Sequence, residues 1–179
     1  MKTVFFDIDS QLDFLYPAGA LYVPNAERIV PAIAHLNRFA AAHGIPVVST
    51  TDAHSENDPE FSLWPPHCVA GTWGQHKAEA TLVDGTSQII VEKQTVDVFL
   101  SPDLARVVER LNADRYVVYG VVTEICVLSA VRGLLKTGKP VTLVVDAVEA
   151  LTAEASARAL EEIRAGGGTL ATVSEIGVT

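Results

Sequence analysis

The chain has 179 residues, 49% of them hydrophobic and 20% charged, which suits one well-buried core and a single domain over residues 1–179. Its formal net charge of −9 argues against a nucleic-acid partner, because displacing counterions from phosphates needs a basic field. No apolar run reaches the roughly 20 residues of a membrane span, and the N-terminus lacks a signal peptide's apolar stretch, so no membrane partner and a cytoplasmic location are expected. Cys68 and Cys126 are the only cysteines, too few for a disulfide scaffold, and each is read as a free thiol.

The first strand is expected at residues 4–8, a continuous apolar run. A helix follows at 26–42, with Ile29, Val30, Ile33, Leu36, Phe39 and Ala40 on one stripe and Gly44 as its stop. The second strand, 46–50, leads into a stretch from 51 to about 86 that has neither a helix nor a strand pattern. It holds three of the five histidines and both tryptophans, and a loop that long in a compact domain usually carries function. Beyond it lie a strand at 88–91 and a helix opened by Ser101-Pro102-Asp103 and carried by Leu104, Val107, Val108 and Leu111. A strand at 116–121 gives way to a helix starting around 124–126 and running towards Gly138. The last elements are a strand at 141–145, a helix at 152–165 and a strand at 169–173. Most strands are continuous Val/Ile/Leu/Phe runs, as expected for strands buried on both faces of a parallel sheet. The alternation predicts an α/β fold: a three-layer, doubly wound sheet of six mainly parallel strands with helices on both faces.

Such sheets place their sites at the carboxyl ends of strands. Four tips carry reactive groups: Asp7-Ile8-Asp9, Asp52-Ala53-His54, Glu92-Lys93 and the segment from Gly120 to Cys126. Cys126, at a strand-to-helix junction, would sit near the positive end of a helix dipole, where a thiolate is favoured and an oxyanion can be held. By itself it reads equally as a small buried hydrophobe. Lys93 by itself reads as a solvated strand end and Asp9 as a loop cap; their convergence on one crevice makes them candidates, the cation favouring a thiolate and the carboxylate able to take the thiol proton. Asp52, His54, Glu60 and His67 offer two carboxylates and two imidazoles, a set that suits Zn²⁺, Mn²⁺ or Fe²⁺. His35 and His43 read as surface residues, His76 as solvated and Cys68 as packed. A rival reading takes Phe5-Phe6-Asp7-Ile8-Asp9-Ser10 as the opening of a haloacid-dehalogenase-type phosphatase, with Asp7 as nucleophile and Asp9 as general acid. That leaves Asp52-Ala53-His54 without a role and offers one acid at Asp146 where a pair is needed.

The assembled motifs resemble those of the isochorismatase-like cysteine hydrolases, in the nicotinamidase/pyrazinamidase branch. Asp9-Ser10-Gln11-Leu12-Asp13-Phe14 matches D-x-Q-x-D-F, and Gly19-Ala20-Leu21-Tyr22-Val23-Pro24 matches G-(A/S)-L-x-V-P. Trp64-Pro65-Pro66-His67-Cys68-Val69-Ala70-Gly71-Thr72 resembles the specific W-P-x-H-C-V-x-G-T. Gly120-Val121-Val122-Thr123-Glu124-Ile125-Cys126-Val127 matches G-x-x-T-(D/E)-x-C-V. The resemblance implies an Asp9, Lys93, Cys126 triad, a cis Val121–Val122 peptide and an oxyanion hole from the N–H groups of Val122 and Cys126. It also implies a divalent metal, Zn²⁺ first, at Asp52, His54, Glu60 and His67, and substrate contacts from Phe14 and Trp64. The implied reaction is hydrolysis of a small aromatic carboxamide, nicotinamide to nicotinate and ammonia, through a cysteine thioester, with a place in NAD salvage. Relatives are often dimers or larger, so a homo-oligomer is expected. Two departures stand out. Glu60 replaces the third histidine of many relatives, and Gln94-Thr95-Val96-Asp97-Val98-Phe99 replaces a Tyr/Gly/Ser-rich loop of the pocket wall. Two alternatives stay open: a metal-free hydrolase of a ureido or carbamoyl amide or of isochorismate, and an idle fold serving as a binding protein.

Overall fold

The computed structural model describes residues 1–84 and 88–177. Residues 85–86 of the expected loop and 178–179 of the expected domain lie outside the described residues. Six strands form one all-parallel sheet: β1 (Thr3–Ile8), β2 (Val47–Asp52), β3 (Gln88–Lys93), β4 (Arg115–Val121), β5 (Val141–Glu149) and β6 (Thr169–Ala171), in the order β3-β2-β1-β4-β5-β6. The helices are α1 (Leu12–Leu15), α2 (Val30–Ala42), α3 (Pro102–Leu111), α4 (Leu128–Leu135) and α5 (Ala153–Ala165). The chain moves from β1 outwards to β3, and later from β4 outwards to β6 in the opposite direction, through crossovers for which parallel strands favour the right-handed form. That puts α2 on one face and α4 and α5 on the other. The centre of the sheet is buried on both sides, as the unbroken apolar runs of β1 and β4 require, whereas edge strand β3 leaves Ile90 exposed.

Strand order reverses between β1 and β4, and the crevice of a doubly wound sheet opens at that point. The two strands approach closely there. Gly120 has φ +119°, and a Cβ on it would lie 2.1 Å from the Ile8 carbonyl oxygen, so only glycine fits. The β4–β5 register also shifts between Val118 and Gly120.

Several boundaries differ from the sequence reading. β5 runs four residues further than predicted, because Val148 and Glu149 pair with Gly120 and Val121 beyond the shift. Asp146 hid this continuation; its carboxylate accepts the Val173 N–H at 2.9 Å, and β6 ends at Ala171 instead of continuing to 173. The predicted 26–42 helix opens with a 3₁₀ turn, Ala26–Ile29, before α2. The helix expected from 124–126 starts as a π turn, Thr123–Val127, and becomes regular only in α4. The long loop contains 3₁₀ turns at Pro59–Ser62, Trp73–Gln75 and Glu79–Thr81, and β2 extends to Asp52.

Buried polar side chains pin that loop to the sheet. The Gln11 amide accepts from Asp52 N at 2.7 Å and donates to the carbonyls of Asp52 (2.8 Å) and Gln75 (2.7 Å), extending the β1–β2 pairing where β1 itself turns away. Asp13 accepts from Cys68 N at 2.7 Å and from Ala20 N at 2.8 Å, joining two loops. Asp7 pairs with Lys77 and accepts from Ser10 Oγ and Asn37 Nδ2, each at 2.7 Å. Buried charges of this kind persist only when paired and hydrogen-bonded.

Candidate active site

Asp9, Lys93 and Cys126 meet at the switch point. Asp9 follows β1 with φ +49°, Lys93 ends β3, and Cys126 sits in the π turn after β4. Lys93 Nζ lies 2.9 Å from Asp9 Oδ2 and 3.7 Å from Cys126 Sγ, and it also pairs with Asp52 Oδ1. All three are buried; Lys93, which read in isolation as a solvated strand end, is only 4% exposed. Burial pushes the Asp9 carboxyl above its ordinary range, partly offset by the Lys93 ammonium. Burial opposes the charge on Lys93, yet Asp9, Cys126 and Asp52 together hold its pKa well above the ordinary value. For Cys126, burial pushes the thiol well up, and the Asp9 and Asp52 carboxylates add to this against Lys93. The sequence reading expected the junction and the lysine to favour a thiolate. In the structure burial works against that charge, and the Asp9 carboxylate that could take the proton meets the same lysine.

Asp52 joins this cluster to a second one. While Oδ1 faces Lys93, Oδ2 lies 3.8 Å from His54 Nε2 and 3.9 Å from His67 Nε2. One donor atom from each of Asp52, His54 and His67 falls within 4.8 Å of the others, and all three residues are buried. Burial opposes the ionised form of Asp52, but Lys93 and then His54 more than offset it and hold the carboxyl below its usual range. The imidazoles are oriented from behind. His67 Nδ1 lies 2.7 Å from the Pro65 carbonyl, an acceptor that fixes Nδ1 as the protonated nitrogen and turns the Nε2 lone pair towards Asp52. His54 Nδ1 lies 3.1 Å from Asp58 Oδ2, outside hydrogen-bond alignment, and His54 Nε2 is buried without a hydrogen-bond partner among the described residues. A carboxylate oxygen and two imidazole nitrogens gathered this closely, with His54 Nε2 unpartnered among the described residues, are a donor set that fits a divalent transition metal. Glu60 lies outside that tight group but on the same cavity wall, half-buried; burial and then the Asp52 charge raise its carboxyl pKa.

Several of these groups, though not Lys93 or His54, line one cavity of about 460 Å³, including its open mouth. Asp9, Asp52, Glu60, His67 and Cys126 form its polar side, and Phe14, Trp64, Leu21, Val96, Ile125 and Leu151 are among its apolar walls. Val122 also lines it, and the Val121–Val122 peptide is cis. The structure thus brings together every residue the sequence reading singled out for the site. His35, His43 and His76 are exposed and lie elsewhere, and Cys68 is buried with its thiol pushed far up by burial. The phosphatase reading fails on geometry: Asp7 is fully buried in the Lys77, Ser10 and Asn37 network, away from the cavity.

Three supporting residues escaped the sequence reading. Asp58 backs His54 and, through Oδ1, accepts the Glu60 N–H at 2.9 Å. Thr50 donates to Asp9 Oδ1 at 2.6 Å, and Gln11 clamps the Asp52 backbone. Gln11 stood inside a quoted motif, but its role depends on a long-range partner. Thr50 and Asp58 carried no signal beyond adjacency to other candidates.

Comparison with known proteins agrees with this geometry. Residues 3–175 match the model of the isochorismatase domain. The chain is 30% identical to a nicotinamidase/pyrazinamidase of Mycobacterium tuberculosis, over 88% of this chain and 91% of that protein. A solved pyrazinamidase of Pyrococcus horikoshii in complex with zinc superposes with a TM-score of 0.87 at 32% identity, covering 96% of this chain and 99% of that one. An N-carbamoylsarcosine amidase of Thermoplasma acidophilum superposes with a TM-score of 0.82 at 25% identity, covering 96% of each chain. With its fold and nearly its whole length matched, the chain belongs to the isochorismatase domain family.

Proposed function

We propose that the protein is a cysteine amidohydrolase of the nicotinamidase/pyrazinamidase type, converting nicotinamide and water to nicotinate and ammonia. The observation that carries this reading is the arrangement of Cys126 Sγ, 3.7 Å from Lys93 Nζ, which is itself 2.9 Å from Asp9 Oδ2, at the floor of a cavity walled by Asp52 and His67. In this reading Asp9 takes the Cys126 proton as sulfur attacks the carboxamide carbon. Lys93 keeps Asp9 ionised until then and balances the sulfur as it becomes negative. The N–H groups of Val122 and Cys126 are assigned to the tetrahedral oxyanion. Asp9 returns the proton to departing ammonia, leaving a thioester, and then takes a proton from the water that cleaves it; the same proton restores the thiol. Phe14 and Trp64 flank the ring and orient it.

Asp52, His54 and His67, with Glu60 beside them, would hold a divalent metal, Zn²⁺ first and Mn²⁺ or Fe²⁺ as alternatives. Such a metal supplies Lewis acidity and a ligand position for a ring nitrogen. Protein purified without added metal is expected to carry about one metal ion per chain by elemental analysis, and chelation to remove activity that added Zn²⁺, Mn²⁺ or Fe²⁺ restores. Absence of both bound metal and metal activation would favour the metal-free alternative.

The lining also discriminates between substrates. Asp9, Asp52 and Glu60 are its charged residues, no Arg or Lys is among the described lining residues, and Lys93 beneath is committed to its three partners. A substrate bearing its own carboxylate, such as an N-carbamoyl amino acid or isochorismate, would find no guanidinium or free lysine to receive it, and a metal at Asp52, His54 and His67 would have its charge partly spent on Asp52. An uncharged carboxamide needs no such partner. The test is ammonia release by metal-replete enzyme from nicotinamide, pyrazinamide and N-carbamoylsarcosine, with isochorismate hydrolysis in parallel. Nicotinamide and pyrazinamide are expected to exceed the anionic substrates in kcat/KM by about 100-fold or more. A preference for an anionic substrate would overturn the assignment of substrate while leaving the cysteine chemistry standing. A small-molecule enzyme of this type fits a cytoplasmic, homo-oligomeric protein serving NAD salvage, and no helix among the described residues is long and apolar enough to cross a membrane.

A further inference from the structure

The Asp9 carboxylate has two oxygens, and a side chain outside the cavity lining distinguishes them. Thr50 is fully buried near the end of β2, opposite Ile8 in the β1–β2 register. Its hydroxyl donates to Asp9 Oδ1 at 2.6 Å. The Asp9 N–H donates in turn to Thr50 Oγ1 at 3.3 Å and to the Thr50 carbonyl at 3.1 Å. A hydroxyl has one proton to give. With its oxygen already accepting from Asp9 N–H, that proton is directed at Oδ1. Asp9 Oδ2 is buried and, among the described residues, has no aligned hydrogen-bond donor; it faces the Lys93 ammonium at 2.9 Å.

We propose that Thr50 is a positioning residue that fixes the plane of the Asp9 carboxylate and reserves Oδ2 for the proton of Cys126. This inference rests on the cysteine-hydrolase reading above. When Oδ2 carries the proton, Oδ1 is the carbonyl oxygen of a carboxylic acid and still accepts from Thr50, so the bond survives the transfer in both directions. A proton on Oδ1 would instead confront the hydroxyl hydrogen. The transferred proton therefore stays on the oxygen turned towards Lys93, the residue that also reaches the sulfur, from which it can be returned to ammonia. Threonine suits the task because its β-branched side chain is stiff in a strand and holds the hydroxyl in one rotamer. Without the hydroxyl, the carboxylate's broad terminal torsion lets it turn and take the proton on either oxygen.

The test compares Thr50→Ser, Thr50→Ala and Thr50→Val with wild type, with Cys126→Ala alongside and thermal melting as a control on folding. Thr50→Ser is expected to retain kcat on nicotinamide to within about threefold, whereas Thr50→Ala and Thr50→Val lose about 10- to 100-fold in kcat with little change in KM. Ser and Ala at 50 differ by one oxygen, so this pair decides the matter even where Val disturbs the sheet. A second readout needs no substrate: the rate at which iodoacetamide alkylates Cys126, followed by mass spectrometry, should fall in Ala and Val and recover in Ser. Equal kcat and equal alkylation for Ser and Ala overturn the role of Thr50, even when Cys126→Ala is inactive and the hydrolase reading stands. Wild type inactive on every substrate of the panel above, or a fully active Cys126→Ala, sinks the hydrolase reading instead, and the alkylation comparison still judges Thr50.

Discussion

Cys126→Ala is expected to abolish ammonia release from nicotinamide, with kcat falling by about 10⁴-fold or more while the fold survives. The size of the effect follows from the role of sulfur. Cys126 is the group of the site that can bond covalently to the carboxamide carbon with a base in place to take its proton. Neither Asp9 nor Lys93 can replace it, because Lys93 is held as an ammonium by three acidic neighbours and Asp9 is engaged by Thr50 and Lys93. Truncation leaves a small gap beside Val121 and Val122 and should lower the melting temperature by only a few degrees. Rapid acid quenching of wild type during turnover should reveal an acyl adduct on the peptide containing Cys126, and no adduct on Cys68, whose thiol is buried away from the cavity. Full activity in the alanine variant would remove the thioester from the mechanism altogether.

Lys93→Met is expected to combine loss of activity, about 10³-fold in kcat, with a marked loss of stability. Lys93 is a buried cation with Asp9, Asp52 and Cys126 around it. Its removal leaves two carboxylates in a low-dielectric region with no cation between them, and one must take up a proton. Asp9 is that one, because Lys93 is the cation that offsets its burial, whereas Asp52 keeps His54 beside it. A protonated Asp9 cannot accept the proton of Cys126. Breaking a buried ion pair from one side costs about 3–5 kcal/mol, which for a chain of this size lowers Tm by about 6–20 °C. Methionine preserves most of the stem's packing, so the effect reports the charge. Calorimetry and steady-state kinetics with added Zn²⁺ measure the two consequences separately. Wild-type Tm together with wild-type kcat would reduce Lys93 to packing.

Much of this was legible along the chain. Unbroken apolar runs such as residues 4–8 and 116–121 belong to strands buried on both faces, and alternation with amphipathic helices leaves a doubly wound sheet as the natural arrangement. A polar group directly after such a run lands at the carboxyl edge of the sheet, which is why Asp9, Lys93, Asp52, His54 and Cys126 could be named in advance. Element ends were less legible. Asp146 looked like the end of β5, but its carboxylate caps the Val173 N–H and the strand continues beneath it.

The sequence by itself determined the sheet, the candidate nucleophile and the stock of acids, imidazoles and lysine around it, because periodicity and motif spacing are local properties. Only the tertiary structure decided which acid does what. Asp7 and Asp9, two apart on an extended strand, would point the same way by pleat alone. The positive φ of Asp9 breaks that alternation, so Asp7 is consumed by Lys77 and Asn37 while Asp9 turns to Lys93 and Cys126. The same holds for Thr50, Gln11 and Asp58, whose partners lie on other elements: each matters through one or two hydrogen bonds or charge contacts across the fold. Burial is likewise a tertiary property: it pushes the Cys126 thiol up against the lowering effect of the neighbouring lysine.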